Sequence, residues 1–297
     1  MSGAIEYFQF VLAPQILIGL VIGIAVILVA LGLTIIFGLL DVINMAHGEF
    51  YALGAFIALA LASLGLPFWL LLILVPLVML PIGYVVERGL IQRVFHGGER
   101  HVTTLLLTFG LGLVMEDSFR LVFGPNPQKP AVPITGGIDL FGVFLPLYRL
   151  FLIVGGAGII AAVALIVYRT RLGAMVRAAA YDRHMAASLG VPVQHVYAGA
   201  FAFGVALAAL AGVMLAPIYS VFPTMGRDFI FLAFTVVIVG GIGSIAGTVV
   251  AGLVLTQVQA LSSLYISPVW SDPIVFGIMV AMLMIRPQGL FGRLGHG

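Results

Sequence analysis

The sequence predicts an all-α fold: a polytopic helical membrane protein with about eight to ten transmembrane or re-entrant helices. Three observations carry this. No Asp, Glu, Lys or Arg occurs between Arg183 and Arg227, nor between Asp228 and Asp272. Of 297 residues, 62% are hydrophobic and only 8% charged. Tracts such as Leu70–Leu80 show no polar–apolar alternation, which excludes a membrane barrel. A water-facing helix needs a polar side, whereas a charge at mid-bilayer costs about 2.5–3.5 kcal/mol, so spans without charge belong in lipid.

In chain order, the runs bounded by charge are Tyr7–Leu40, Phe50–Val86, Val102–Met115, Leu150–Tyr168, His184–Gly226, Phe229–Ser271 and Pro273–Ile285. A crossing needs roughly 20 apolar residues, so several runs hold two. Gly65-Leu66-Pro67 supplies a corner in the second run, and Pro217–Gly226 ends a helix begun near Val196. Whether Asp41–Glu49 and Gly240–Gly247 are crossings or breaks sets the final count. Met1–Phe10 carries Glu6 and no basic residue, unlike a cleavable signal, so the first run is expected to be a retained anchor. Residues 1–297 are expected to form a single membrane domain.

The basic residues divide the chain by side. Arg88, Arg93 and Arg100 form one cluster, Arg169, Arg171, Arg177 and Arg183 a second, and Arg286 and Arg293 a third. The positive-inside rule makes all three cytoplasmic. Gly124–Arg149, rich in proline and glycine and carrying the single lysine, Lys129, then becomes an external loop.

Within the second cluster, Arg177–Gly190 reads as one helix. Ala178, Ala179, Ala180, Ala186 and Ala187 favour it, Gly190 provides a left-handed end, and Pro192 follows. Tyr181, Met185 and Leu189 recur every four residues and share its apolar face. This segment is either an amphipathic connector or a slim helix that docks into a partner's groove.

Several chemistries are excluded or disfavoured. Without cysteine there is no disulfide, thiolate metal site or cysteine nucleophile. His47-Gly48-Glu49 has the spacing of zinc deaminases but lacks their cysteine ligands, so no metal site is expected. Gly241-Ile242-Gly243-Ser244-Ile245-Ala246 resembles a dinucleotide turn, yet no acid follows until Asp272. Lys129 lies outside any phosphate-binding loop, so this chain does not hydrolyse nucleotide by that route.

Two polar or glycine-rich breaks are candidates for lining a transport path: Asn44, His47 and Glu49 in the first, Gly240, Gly241 and Gly243 in the second. Their plainer readings are a wetted turn and close packing of small residues. The residues alone leave two transport classes open, a passive subunit driven by a separate ATPase and an ion-coupled carrier.

The order of three motifs bears on that choice. Asp41-Val-Ile-Asn44-Met-Ala-His47-Gly48-Glu49 with Leu53-Gly54-Ala55 resembles the early signature of LivH-type branched-chain amino-acid permeases of ATP-binding-cassette importers. Arg177–Gly190 resembles the coupling loop of such permeases, and Gly240–Gly247 with Ala251-Gly252 their late glycine-rich signature. The resemblance implies alternating access in a bacterial inner membrane, with a second homologous permease, two cytoplasmic ATPases and an extracytoplasmic solute-binding protein. It makes Arg177, Tyr181, Asp182, Arg183, His184 and Gly190 the ATPase-coupling residues. ATP and magnesium would serve those ATPases, this chain binding no cofactor and no nucleic acid. Other amino acids, urea and amides are carried by related permeases and remain alternative cargo.

Overall fold

The computed structural model describes residues 2–94, 100–140 and 142–292; Arg293 lies outside them, and Arg100 is described by its backbone alone. Eleven helices carry the architecture among these residues. They are α1 (Ala13–Leu40), α2 (His47–Ser63), α3 (Phe68–Val86), α4 (Arg100–Phe123), α5 (Leu147–Arg169), α6 (Arg171–Tyr181), α7 (Arg183–Ser188), α8 (Val193–Leu215), α9 (Met225–Gly240), α10 (Ile245–Ser262) and α11 (Ser271–Ile285). Ser2–Tyr7 and a π turn, Phe8–Leu12, run straight into α1. A second π turn, Glu87–Ile91, extends α3. By length and composition, six of the described helices suffice to cross a membrane. Leaving out α6 and α7, nine helices of 15 residues or more form the bundle, within the range expected from sequence.

The centre is α1, which packs on α5, α8, α9 and α10. Its apolar window is 72% buried and that of α8 is 83%, against 17% for α5 and 11% for α11. A helix that is apolar all round suits either environment; the difference is what covers it. Close approach explains why α1 is central. Gly32 lies against the backbone of Gly204 in α8, and Gly23 against Thr256 in α10. At both places a Cβ would displace its neighbour, so small residues permit the contact.

The ends of the bundle fall into two groups. Gln194 at the start of α8 accepts a hydrogen bond from Arg88, and Gly243 sits on Gly38 at the end of α1, so the arginine-rich loops share one end. Gln15 donates to Ser263 and to the Ala260 carbonyl at the far end of α10, and Tyr7 meets Tyr265 there. The start of the chain therefore lies at the end opposite the arginines, the end that the positive-inside rule expects to be external. There the 124–149 segment forms a hairpin, β1 (Gly137–Leu140) paired antiparallel with β2 (Val143–Pro146), and Gln128 bridges to Val221 before α9.

Candidate transport path and coupling surface

Both segments of uncertain depth are breaks between helices. At the first, Asp41 ends α1 in the left-handed region (φ 53°). Val42, Asn44 and Ala46 are fully buried, so the chain turns back into the protein, not along a wetted face. Irregular backbone is tolerated at such a depth only where something else satisfies it. Thr108 of α4 does so: its hydroxyl accepts from the Met45 N–H (3.1 Å), while it lies 3.1 Å from the Leu105 and 3.3 Å from the Ile43 carbonyls. Asn44 Oδ1 accepts from the Ala46 N–H at 3.1 Å.

His47 then begins α2. Its Nε2 lies 3.0 Å from the Val29 carbonyl, and a carbonyl only accepts, so Nε2 carries the proton. Val29 is about 16 Å back along α1 from Leu40, so α2 starts inside the bundle. Glu49 follows on the side facing α4 and α9, where Gly226 leaves room for its carboxyl group. Four buried polar atoms of this stretch have no hydrogen-bond partner in the structure: Asn44 Nδ2, His47 Nδ1, Glu49 Oε2 and the Tyr51 hydroxyl. An unpaired buried polar group costs roughly 1–3 kcal/mol, so four within eight residues mark unused hydrogen-bonding capacity.

The four-residue spacing of Glu116 and Arg120 along α4 is that of a helical ion pair, and the structure contains it. Spacing misses the stronger partner. Arg227, 111 residues away, donates to both carboxylate oxygens of the buried Glu116 at 2.7 and 2.6 Å. No local pattern signals that contact. The only hint was that Arg227 and Asp228 interrupt two long uncharged spans.

The second break is built differently. Gly240 ends α9, Gly241 (φ 100°) and Gly243 (φ 77°) turn the chain, and Ser244 caps α10 by accepting from the Gly247 N–H. A Cβ on Gly240 would stand 2.5 Å from the Gly247 carbonyl carbon. The C-terminal tail closes the corner: the Leu290 N–H donates to Val239 O (2.8 Å) and the Phe291 N–H to Gly240 O (3.0 Å). The glycines hold two helices and the tail together.

At the arginine-rich end, the single helix expected over Arg177–Gly190 is two helices. Asp182 is extended (φ −151°, ψ 108°) and N-caps α7, its Oδ1 accepting from the His184 (2.8 Å) and Met185 (2.9 Å) amides. Alanine propensity is overridden there because an aspartate at a cap satisfies donors that a continuous helix would pair within itself. The Met185 N–H above all, then the His184 N–H, hold the Asp182 carboxyl below its ordinary range. Gly190 has φ 84° and terminates the segment as the sequence indicates.

Small residues anchor this pair of helices. Ala179 and Ala186 are buried in one cluster with Ile35, Leu39 and Ala200 of α1 and α8. Arg177 turns inward, donating to the Val167 carbonyl at the end of α5. Tyr181, Met185 and Leu189 are left 88%, 60% and 77% exposed, a large apolar fraction for three neighbouring turns. Arg183 donates to His184 Nε2, and both stay at the surface.

Comparison with known proteins follows the same outline. The family described as branched-chain amino acid transport system / permease component matches residues 15–283. Similar proteins include the high-affinity branched-chain amino acid transport system permease protein BraD of Pseudomonas aeruginosa, 31% identical over 94% of this chain and 95% of that one. LivH of Salmonella typhimurium is 30% identical over 97% of each chain. LivM of the same organism, a permease protein of a system with the same name, is 27% identical over 89% of this chain and 67% of its own length. No solved structure matches the chain. With a multi-pass helical bundle and a family match over nearly its whole length, the chain belongs to the permease components of branched-chain amino acid transport systems.

Proposed function

We propose that this chain is one of two homologous permeases in an ATP-driven importer of branched-chain amino acids, set in a bacterial inner membrane. Relatives named as H and M permease proteins of such a system both align with it, which supports pairing with a second, similar subunit. An extracytoplasmic binding protein delivers the amino acid to the external end. Two cytoplasmic ATPases supply the force, and ATP and magnesium belong to them.

The observation that carries this reading is the anchored but uncovered α6–α7 pair. Exposed Tyr181, Met185 and Leu189 give an ATPase an apolar surface, with Arg183 and His184 beside it to set register. Movement of α6 reaches the interior through its packing on α1 and α8. From Val193, α8 runs about 16 Å to Gly204, which lies against Gly32 beside His47. Rocking these helices changes the surroundings of the α1–α2 break, where Asn44, His47 and Glu49 line the path in this reading. Gly240, Gly241 and Gly243 act on it by holding α9 to α10.

Purification of the full complex from its native membrane tests the class. The expected result is recovery of two ATPases and a second permease, with leucine, isoleucine or valine uptake in proteoliposomes requiring ATP and the binding protein. Concentrative uptake by this chain alone, driven by a proton or sodium gradient, would overturn it. A urea- or amide-selective binding protein would retain the machine and replace the cargo.

A further inference from the structure

A groove of about 430 Å³ lies on the outside of the bundle between α5 and α10, floored by Ile27 of α1. One wall is the helical stripe Ala157, Ala161 and Ala164; the other includes Ala246 and Val250. Both helices pack on α1, and small side chains keep the space between them open. The groove is apolar throughout and has a defined length. Its lower end is Tyr168, at the cytoplasmic end of α5. Above Ala157 it closes, because Gly156 lies directly against Ile24. Tyr168 to Ala157 is about 16 Å along the helix, half of the roughly 30 Å of hydrocarbon.

Basic residues follow directly on that lower end. Arg169 is next in the chain to Tyr168 and Arg171 opens α6; both are exposed, and among the described residues neither guanidinium has a protein partner. Helix α6 begins at Arg171, directly beyond the end of α5, so the two helix-end dipoles oppose one another and the arginines carry the charge at this edge. The Thr170 hydroxyl accepts from the Gly173 amide and its carbonyl from the Ala174 amide.

We propose that this groove binds one anionic phospholipid of the cytoplasmic leaflet, an acyl chain between α5 and α10 and the phosphate at Arg169 and Arg171. A helix from a second permease would need a channel through both leaflets, whereas this one stops halfway. The two free arginines select a negative headgroup, as basic pockets at cytoplasmic membrane edges do. Because the headgroup rests where α6 starts, the lipid holds the α5–α6 corner from the membrane side. The proposal is independent of the cargo and of the motor.

Native mass spectrometry of the purified full chain, titrated with phosphatidylglycerol or phosphatidylcholine, reads it. The expected preference for phosphatidylglycerol is about thirtyfold, the order two guanidinium groups supply. Arg169→Gln with Arg171→Gln should lower phosphatidylglycerol retention to the level of phosphatidylcholine and leave phosphatidylcholine retention unchanged. Ala161→Phe, at an exposed position, should lower retention of both, and Ala246→Leu on the other wall repeats that test independently. Parity in the unaltered chain, an undiminished preference in the double variant, or full retention in both plugged variants would overturn the site. So would crosslinking of Ala161→Cys to a second permease.

Discussion

The two membrane-level breaks look alike as sequence and differ in what they leave unpaired. Between Gly240 and Ile245 the corner is closed by the protein itself, with tail amides on the Val239 and Gly240 carbonyls and Ser244 on the next helix. Between Leu40 and His47 the backbone is also satisfied, by Thr108 and Asn44, yet Asn44 Nδ2, His47 Nδ1 and Glu49 Oε2 remain unpaired in burial. A break finished with backbone and glycine holds a shape. One that keeps costly polar side chains without partners retains capacity for something that comes and goes. The glycine corner is thus expected to fail as structure, the polar corner as transport.

The largest effect is expected at the glycine corner. Gly240→Val drives side-chain atoms into the Gly247 backbone, where neither helix can yield without losing its packing on α1. A loss of about 3 kcal/mol or more is expected, read as a lowered thermal midpoint and poor recovery of the folded chain. A stable Gly240→Val variant with selectively altered uptake would erase the contrast between the breaks.

Next comes the polar corner. Asn44→Ser keeps an oxygen able to accept from the Ala46 N–H and removes the unpaired amide. Uptake should fall roughly tenfold, as when a positioned hydrogen bond is lost, with the thermal midpoint within a few degrees of the parent. His47→Ala should also lose uptake but cost about 1–2 kcal/mol, since the Val29 contact goes with it. If either variant instead loses ATPase co-purification in step with uptake, the polar corner is structural as well.

How much of this was legible in the sequence depends on the range of the interactions. Charge-free runs mark helices because the solvent acts on each residue separately, so the bundle, the Gly65–Pro67 corner and the Gly190 end are readable. The Glu116–Arg120 pair is readable because one helical turn sets its spacing. Arg227 on Glu116, the tail on Gly240 and the depth of Asn44 are not, because each joins residues far apart along the chain. The α6–α7 break falls between. Asp182 is a good cap residue, but its neighbours are alanines that favour continuing the helix, and only the folded contacts of Ala179 and Ala186 decide.

That break offers a third term, a corner whose polar group caps its own helix and faces water. Arg183→Glu reverses a charge on the exposed surface without touching the anchoring alanines. Gly190→Pro, by contrast, imposes an incompatible φ where 84° is needed. Both should uncouple ATP hydrolysis from uptake, by about tenfold or more for the reversed charge, with part of the ATPase still bound. Unchanged uptake with both would remove α6–α7 from the coupling role.

The smallest effect separates the cap from the charge. Because the Met185 and His184 amides depress the Asp182 pKa, the cap's stabilisation is complete above the ordinary carboxylate value near 3.9 and is lost as pH falls through the depressed folded value. Protection of the His184 and Met185 amides, each exchange rate taken relative to the intrinsic rate at that pH, should therefore be high at neutral pH and be lost only in strong acid. Asp182→Ala should exchange fast at both, and Asp182→Asn should stay protected at both, since asparagine caps a helix equally well without titrating. Uptake should follow protection, with Asn near the parent and Ala reduced by less than Arg183→Glu. An Asn variant protected but inactive would show that the negative charge itself, and not the bend it caps, is what the partner reads.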